Sequence, residues 1–209
     1  MSELHILYHP LIAHKLTLMR DKDTPSQEFR QLLTEISMLM GYEVTRNLEL
    51  RPVEVETPIC TAEFQTLKDE RFTIVPILRA GLGMVEGLQK LMPFARVGHI
   101  GMYRDEQTKQ PVEYYYKMPA DVADSVIIVV DPMLATGGSA VDALDSLKSR
   151  GCTKIRMMNL VAAPEGVRRV QQAHPDVDIY VAALDEGLTE DAYITPGLGD
   201  AGDRIFGTR

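Results

Sequence analysis

The sequence has little that would tie it to a polyanion. It contains fewer basic than acidic side chains, with 22 Lys and Arg against 30 Asp and Glu, which gives a net charge of −8. It also has no tryptophan and only two cysteines. Proteins that bind nucleic acids typically carry a basic excess or a basic stripe. The charge balance therefore excludes nucleic acid as a partner held by bulk electrostatics, while a local basic site for a small phosphate stays open.

Features of secreted and membrane proteins are also scarce. Cys60 and Cys152 lie far apart and outside any CxxC pattern, which predicts two reduced thiols in the core of a cytosolic protein. The chain starts without the basic and apolar segments of a secretory signal. The apolar run Val126–Val130 is far shorter than the roughly 20 residues that span a bilayer. We expect a soluble, cytoplasmic protein with no membrane partner.

Strand and helix patterns alternate along most of the chain. With 209 residues, 45% of them hydrophobic and 25% charged, the composition predicts one globular domain. The predicted strands are 72–78, 96–103, 111–118, 126–130, 154–163 and 178–184. One helix is predicted to start at residue 24, and a second follows Gly83 and ends at about residue 90. Two more are predicted over 139–150 and 164–173. This alternation indicates an α/β fold with a mostly parallel twisted sheet flanked by helices.

The ends of the chain differ from its middle. A helix is predicted to start at Thr24, with Pro25 at its first position and Gln27 completing a capping box. Its apolar face, which would pack inside the protein or against a second subunit, is formed by Phe29, Leu32, Leu33, Ile36 and Met40. The glycine-rich tail Tyr193–Asp203 predicts an ordered cap without regular helix or strand.

The strongest signal for function is a strand that ends at a carboxylate and leads through glycines into a helix. The β-branched run Val126–Val130 is typical of a strand buried on both faces, and Asp131 follows it directly. Ligands of parallel sheets bind outside the carboxyl ends of the strands. The turn's N–H groups, the Thr136 and Ser139 hydroxyls and the positive end of the helix would form a socket for an anion. Asp131 would then face the hydroxyls of the phosphate-bearing molecule.

Other readings of the phosphate socket fit less well. A P-loop requires a lysine after the glycines, and none follows Gly138. The stretch Gly81–Gly87 is similar to a dinucleotide-binding fingerprint, but its third glycine comes one position late. A nicotinamide-dependent dehydrogenase is therefore the weaker alternative. A sensor that binds a phosphate-bearing molecule without catalysis would use the same socket and also stays open.

The segment Asp131–Ser139 resembles the 5-phosphoribosyl-1-diphosphate (PRPP) binding motif of type I phosphoribosyltransferases. With a proline after the aspartate, the motif resembles that of the uracil phosphoribosyltransferases within this family. Two further stretches are similar to theirs: Ile77–Gly81 resembles their first phosphate loop, and Tyr193–Asp203 resembles their base-binding segment. Most type I relatives have a second acidic residue where this chain has Pro132, which leaves the ribose with one carboxylate. The resemblance assigns to PRPP Arg79, Arg104, Asp131, Pro132, Met133, Leu134, Ala135, Thr136, Gly137, Gly138, Ser139 and Asp200.

This resemblance implies a reaction between uracil and PRPP that gives UMP and diphosphate with Mg²⁺. Arg79 and Arg104 are expected to bind diphosphate, because a guanidinium pairs well with phosphate oxygens. Asp200 is the candidate for a water-mediated contact to the metal or diphosphate, and no all-protein metal site is expected. The uracil-binding residues would be Ile194, Gly199, Asp200 and Ala201, mainly through their main chain.

The resemblance also implies an architecture and partners. It divides the single domain into an N-terminal helical segment (1–50), a core (about 70–185) with a β-extension and flexible loop, and a C-terminal hood over the base (186–209). The polar stretch 104–110 is predicted to be a lid that excludes water from the activated sugar. The family further suggests a homo-oligomer, a dimer or larger, and GTP as an effector.

Overall fold

The computed structural model describes residues 2–69, 71–104 and 111–208, without the side chains of residues 103, 104 and 111. The helices are α1 (Pro10–Arg20), α2 (Ser26–Val44), α3 (Leu82–Leu91), α4 (Gly138–Ser149), α5 (Pro164–Ala173) and α6 (Ala201–Phe206). The strands are β1 (Leu4–Ile6), β2 (Leu50–Glu56), β3 (Thr61–Leu67), β4 (Phe72–Leu78), β5 (Arg96–Val97), β6 (His99–Arg104), β7 (Pro111–Lys117), β8 (Val126–Val130), β9 (Met133–Leu134), β10 (Ile155–Ala162), β11 (Asp178–Leu184), β12 (Gly187–Leu188) and β13 (Ile194–Thr195).

The main sheet is mostly parallel, as predicted. Its strand order is β1-β11-β10-β8-β4-β6-β7, with β5 beside β4 and β9 beside β10. β7 runs antiparallel to β6, and together they form the predicted β-extension at one edge. β2 and β3 pair in a separate antiparallel hairpin. The expected α/β class is therefore confirmed.

Helices cover both faces of the sheet and bury an apolar layer on each. Within β8, Val126, Ile128 and Val130 pack with the core that includes α1, α2, α3 and α6. Ile127 and Val129 point to the opposite face and pack with the core that includes α4 and α5. Successive strand side chains alternate between faces, so a strand covered on both sides needs an unbroken apolar run.

The N-terminal helix packs as expected but starts later. All of its predicted apolar residues are buried: Phe29, Leu32, Leu33, Ile36 and Met40. The predicted start at Thr24 is wrong, because α2 begins at Ser26 with Pro25 as its N-cap and no side-chain cap bond. The Thr24 hydroxyl instead donates to the carbonyl of Leu18, 2.6 Å away, at the end of α1. Thr24 therefore closes one helix rather than opening the next.

The prediction that the tail Tyr193–Asp203 contains no regular structure is also wrong. Strand β13 pairs with β12, and helix α6 begins at Ala201. The Asp200 carboxylate accepts a hydrogen bond from the Asp203 N–H at 2.9 Å, which caps the helix. Buried Ala201 and Ile205 complete the core that includes α2. Capping and tertiary packing thus offset the unfavourable local composition.

A buried ion pair ties the tail to the N-terminal helices. The Arg20 guanidinium donates to both oxygens of Asp185, at 2.6 and 2.8 Å, and to the Gly197 carbonyl at 2.6 Å. Asp185 also accepts from the Gly197 N–H at 2.8 Å. The side chain of Asp185 is only 6% exposed. Each charged group is thereby satisfied, and the turn that contains Gly197 is held against the end of α1.

The cysteine prediction is half right. Cys152 is buried and Cys60 is exposed, and both are free thiols. Cys60 lies in the turn between β2 and β3, where its N–H donates to the Thr57 hydroxyl. In the part of the chain that the structure describes, no helix is both long and apolar enough to cross a membrane.

We expect Asp185→Asn to lower the free energy of unfolding by about 2–4 kcal/mol, because it leaves the largely buried Arg20 without its charge partner. Urea denaturation followed by circular dichroism measures this change. The control is Asp176→Asn, since Asp176 is 59% exposed and pairs with Lys148 at the surface. Its cost is expected to stay within about 1 kcal/mol. Equal losses in the two variants would contradict the anchoring role of Asp185.

Candidate active site

Two of the predicted motifs meet because their strands are neighbours. β4 and β8 pair in parallel, with Phe72 opposite Val126 and Pro76 opposite Val130. Arg79 follows the first strand and Asp131 the second, so both lie at the same carboxyl edge of the sheet. This is the edge where ligands of open parallel sheets bind.

The third motif closes over this edge. A cavity of about 250 Å³ lies between the two strand ends and the tail. It is lined by Ala80 from the first motif, Asp131, Met133 and Ala135 from the second, and Ala192, Tyr193, Ile194, Gly199, Asp200, Ala201 and Gly202 from the tail. The structure therefore brings residues from all three segments into one cleft.

The glycine loop after Asp131 wraps a smaller cavity. This second space, of about 110 Å³, is lined by Asp131 and by residues 133–140. Gly137 has φ +77°, a conformation that side-chain-bearing residues rarely adopt, and it forms the N-cap of α4. Because Gly137 offers no side-chain cap, the first N–H groups of α4 have no capping side chain. An anion in this cavity would satisfy those donors and meet the positive end of the helix dipole.

Buried neighbours fix the shape of the loop. The Val161 and Ala163 N–H groups donate to the carbonyls of Pro132 and Leu134, both at 2.9 Å. Pro132 and Leu134 are buried, whereas Thr136 is exposed. Pro132 and Leu134 thus anchor the loop through their main chain, while their side chains are largely shielded from solvent.

Gly166 supports the loop from below, and the sequence reasoning did not identify it. A Cβ at this position would lie 2.4 Å from the Ala135 carbonyl oxygen and 2.8 Å from that of Leu134. Only glycine therefore allows the start of α5 to approach the loop so closely. A glycine in the first turn of a predicted helix, where it lowers helix propensity, is the signal that could have revealed this contact.

Asp131 lies at the junction of the two cavities. Burial raises the pKa of its carboxyl to about 7, partly offset by a hydrogen bond from the Met133 backbone. Its backbone carbonyl accepts a 2.7 Å hydrogen bond from the amide of Asn159, a fully buried residue. A carboxyl in this setting becomes ionised readily when a ligand brings hydroxyl donors or a cation to it.

Asn159 is a further residue of the site that no sequence motif indicates. It is the polar member of an otherwise apolar stretch in β10, and its side chain fixes the backbone where β8 ends. A lone amide within a buried strand was the available signal, because such groups are costly to bury without a partner.

Arg79 lies beside the cleft, with one guanidinium nitrogen 3.9 Å from the Cβ position of Gly202, a lining residue. Its side chain is 60% exposed, with one guanidinium nitrogen 3.8 Å from the Asp203 carboxylate. The guanidinium also lies over the Phe206 ring, 5.7 Å from its centre. Gly81 lets the chain turn sharply here, since a Cβ would come within 2.5 Å of the Val130 carbonyl oxygen. An exposed arginine held by a long ion pair can turn towards an anionic ligand.

The other predicted arginine cannot be placed. Arg104 ends β6, and its side chain lies outside the described residues. The predicted lid over 104–110 likewise falls on residues 105–110, which are outside the described part of the chain.

The predicted base-binding residues form the roof of the cleft. Ile194 and Ala201 are buried, and Gly199 has φ +79°. Asp200 is exposed and uses one carboxylate oxygen to cap α6, so its other oxygen is free of that role. Over residues 2–69, 71–104 and 111–208, no group of three or more His, Cys, Asp or Glu is placed to hold a metal ion by itself.

Comparisons with known proteins agree with this geometry. A family model described as uracil phosphoribosyltransferase matches residues 6–208. Proteins named uracil phosphoribosyltransferase from Alkaliphilus oremlandii and Clostridioides difficile are 61% and 62% identical to this chain, over the full length of both partners.

Solved structures support the same fold. A protein from Aquifex aeolicus is 38% identical, with a TM-score of 0.90 and 97% of each chain covered. A hypoxanthine-guanine phosphoribosyltransferase from Bacillus anthracis has a TM-score of 0.54 at 12% identity, with 77% of this chain and 80% of that chain covered; this likeness concerns the fold alone. From the family model and the full-length relatives it follows that the chain belongs to the uracil phosphoribosyltransferase family.

Proposed function

We propose that this enzyme transfers the 5-phosphoribosyl group of PRPP to N1 of uracil, giving UMP and diphosphate in pyrimidine salvage. The observation that carries the proposal is the single cleft lined by Ala80, Asp131 and the residues of the tail. In this proposal the core spans about 70–185, the N-terminal helical segment spans 1–50, and the hood spans 186–209. The family membership supports the same reaction.

The glycine loop would hold the 5′-phosphate. The uncapped N–H groups at the start of α4 and the exposed hydroxyls of Thr136 and Ser139 face the 110 Å³ cavity. Backbone donors fixed by Gly137 and by the underlying α5 need no rearrangement when the phosphate arrives. Asp131, next along the cleft, would accept hydrogen bonds from the ribose hydroxyls.

Arg79 and Arg104 would bind the diphosphate. As the bond from C1′ to diphosphate breaks, the sugar becomes oxocarbenium-like and negative charge accumulates on the leaving group. A guanidinium beside the cleft would stabilise that charge with paired donors. Arg79 has the exposure and the position for this role.

The donors of the cleft suit a magnesium ion shared with substrate oxygens. Asp200 lines the cavity and has a carboxylate oxygen that does not cap α6, which is the type of ligand Mg²⁺ prefers. Asp200 would hold the ion through water, with the remaining ligands from PRPP. When bound, the ion would offset negative charge on the diphosphate.

The hood would recognise uracil mainly through its main chain. Uracil presents an N3–H donor between two carbonyl acceptors. Backbone groups near Ile194, Gly199 and Ala201 can match this pattern, with Asp200 beside them. Cytosine has an acceptor at N3 and an amino group at C4, so it would leave buried polar groups unpaired.

The family resemblance adds three further parts to the proposal. We expect a cytoplasmic location, consistent with two free cysteines. A homo-oligomer is supported by exposed apolar side chains such as Leu11 on α1 and Tyr42 on α2. GTP as an effector remains a prediction from the resemblance.

Diphosphate release with PRPP and Mg²⁺ tests the function. We expect release with uracil and a kcat/KM for cytosine lower by about 10⁴. Hypoxanthine, adenine and orotate are tested in parallel, and we expect no diphosphate release with these three bases. Turnover of cytosine within about tenfold of uracil would contradict the assigned base recognition. UMP binding without diphosphate release would favour a nucleotide sensor instead.

We expect Arg79→Gln to lower kcat/KM for PRPP by about 10- to 100-fold, the usual range for losing a charged hydrogen bond to phosphate. Steady-state kinetics at saturating uracil measures the effect. Arg71→Gln is a matched control, because Arg71 is 52% exposed at the opposite end of the same strand and pairs with Asp124. A similar loss in both variants would show that the effect does not arise at the diphosphate.

The raised pKa of Asp131 predicts how stability depends on pH in the ligand-free protein. Its folded pKa of about 7 exceeds the unfolded value, so the folded state holds a proton that the unfolded state has lost. Stability should therefore fall between about pH 4 and pH 7 and level off above that window. Asp131→Asn lacks this titration. Urea denaturation from about pH 5 to pH 8 should show the wild type losing about 2 kcal/mol more than the variant. Parallel pH profiles would rule out a protonated Asp131 carboxyl in the folded protein.

A further inference from the structure

One cationic side chain beside the glycine loop belongs to none of the three motifs. Arg169 lies on α5, which passes under the loop. A methyl group placed on the Cα of Gly138 would be 3.5 Å from Nη1 of Arg169 and 3.8 Å from the Thr136 hydroxyl oxygen. The guanidinium and the hydroxyl thus approach one point at the start of α4, where the uncapped N–H groups also lie.

Packing of α5 fixes the position of Arg169. Gly166 allows the helix to contact the loop carbonyls, and Arg169 is three residues further on, on the same side of the helix. The Cβ of Arg169 lies 3.3 Å from the Cβ position of Gly137. The stem of the side chain therefore packs on the loop itself, and the guanidinium extends from a fixed base.

Within the described part of the chain, the Arg169 guanidinium is not held by a short contact to another side chain. Arg169 is exposed, and among the residues that the structure describes it makes neither a hydrogen bond nor an ion pair within 4 Å. On α4, Asp142 interacts electrostatically with Arg169 and with the like-charged Asp145. Burial raises the pKa of Asp142, and the positive charge of Arg169 partly offsets this rise.

We propose that Arg169 binds the 5′-phosphate of PRPP and of UMP, an inference that rests on the proposed function. The segment 131–139 contains no lysine or arginine, so the loop itself offers only backbone dipoles and hydroxyls. A phosphate dianion would also meet repulsion from Asp142 and from a protein of net charge −8. A guanidinium beside the loop, at the start of α4, supplies the missing full positive charge and donors that match phosphate oxygens in pairs.

Binding of UMP and of uridine, measured by calorimetry, isolates the contribution of the phosphate. Arg169→Gln should weaken UMP binding by about five- to tenfold, a range set by a charge-assisted contact that is partly screened by solvent. Uridine, which lacks the phosphate, should bind the variant and the wild type equally. Arg169→Lys should recover part of the UMP affinity, and high salt should shrink the difference between wild type and Arg169→Gln.

Arg168→Gln is the control, because Arg168 is a neighbouring exposed arginine on the same helix. Its substitution removes the same charge from the protein. It should leave UMP binding within about twofold of the wild type, as expected for a surface charge. Equal weakening by Arg168→Gln and Arg169→Gln, unchanged UMP binding in Arg169→Gln, or parallel loss of uridine binding would each overturn the assignment. Failure of the wild type to bind UMP would overturn the proposed function and this inference with it.

Discussion

The parallel pairing of β4 and β8 is the constraint on which the site depends. The two strands are in register over Phe72–Pro76, so their ends coincide at one edge of the sheet. Helices bury both faces of these strands, and the register is set because a shift of one residue would exchange the side chains of the two cores. The backbone pairing alone therefore places Arg79 and Asp131 at the same edge, without any interaction between their side chains.

Stability and binding place opposing demands on this edge. Burial holds the pKa of Asp131 at about 7, so ionisation of the carboxyl disfavours the folded, ligand-free protein. The loop beyond it keeps N–H groups without a capping side chain, which an anion would satisfy. Behind the cleft, the tail that lines it is held by fully paired charges, with Arg20 bonded to Asp185 and to the Gly197 carbonyl. Paired charges and buried neighbours thus support the carboxyl of Asp131 and the N–H groups at the start of α4.

The sequence predicted those parts of the fold that depend on local pattern. The run Val126–Val130 indicated a strand buried on both faces, and β8 has those bounds. Contacts between distant residues were not predictable in this way: Arg20 and Asp185 are 165 positions apart, and neither belongs to a motif. Helix α6 was missed for the same reason, since Ile205 is stabilised by packing in the core with α2 rather than by local propensity. For the site, motifs indicated the loop and the hood, but not Asn159 beneath them.

A crystal structure of the protein with UMP would test the central claim most directly, namely that one cleft holds phosphate, sugar and base. We expect the phosphate on the N–H groups of residues 136–139, the ribose hydroxyls at Asp131, and the uracil ring against Ile194 and Ala201. Phosphate bound away from the glycine loop would rule out this arrangement. So would a uracil ring in the separate cleft of about 750 Å³ between Arg20, Thr24 and the outer side of the tail.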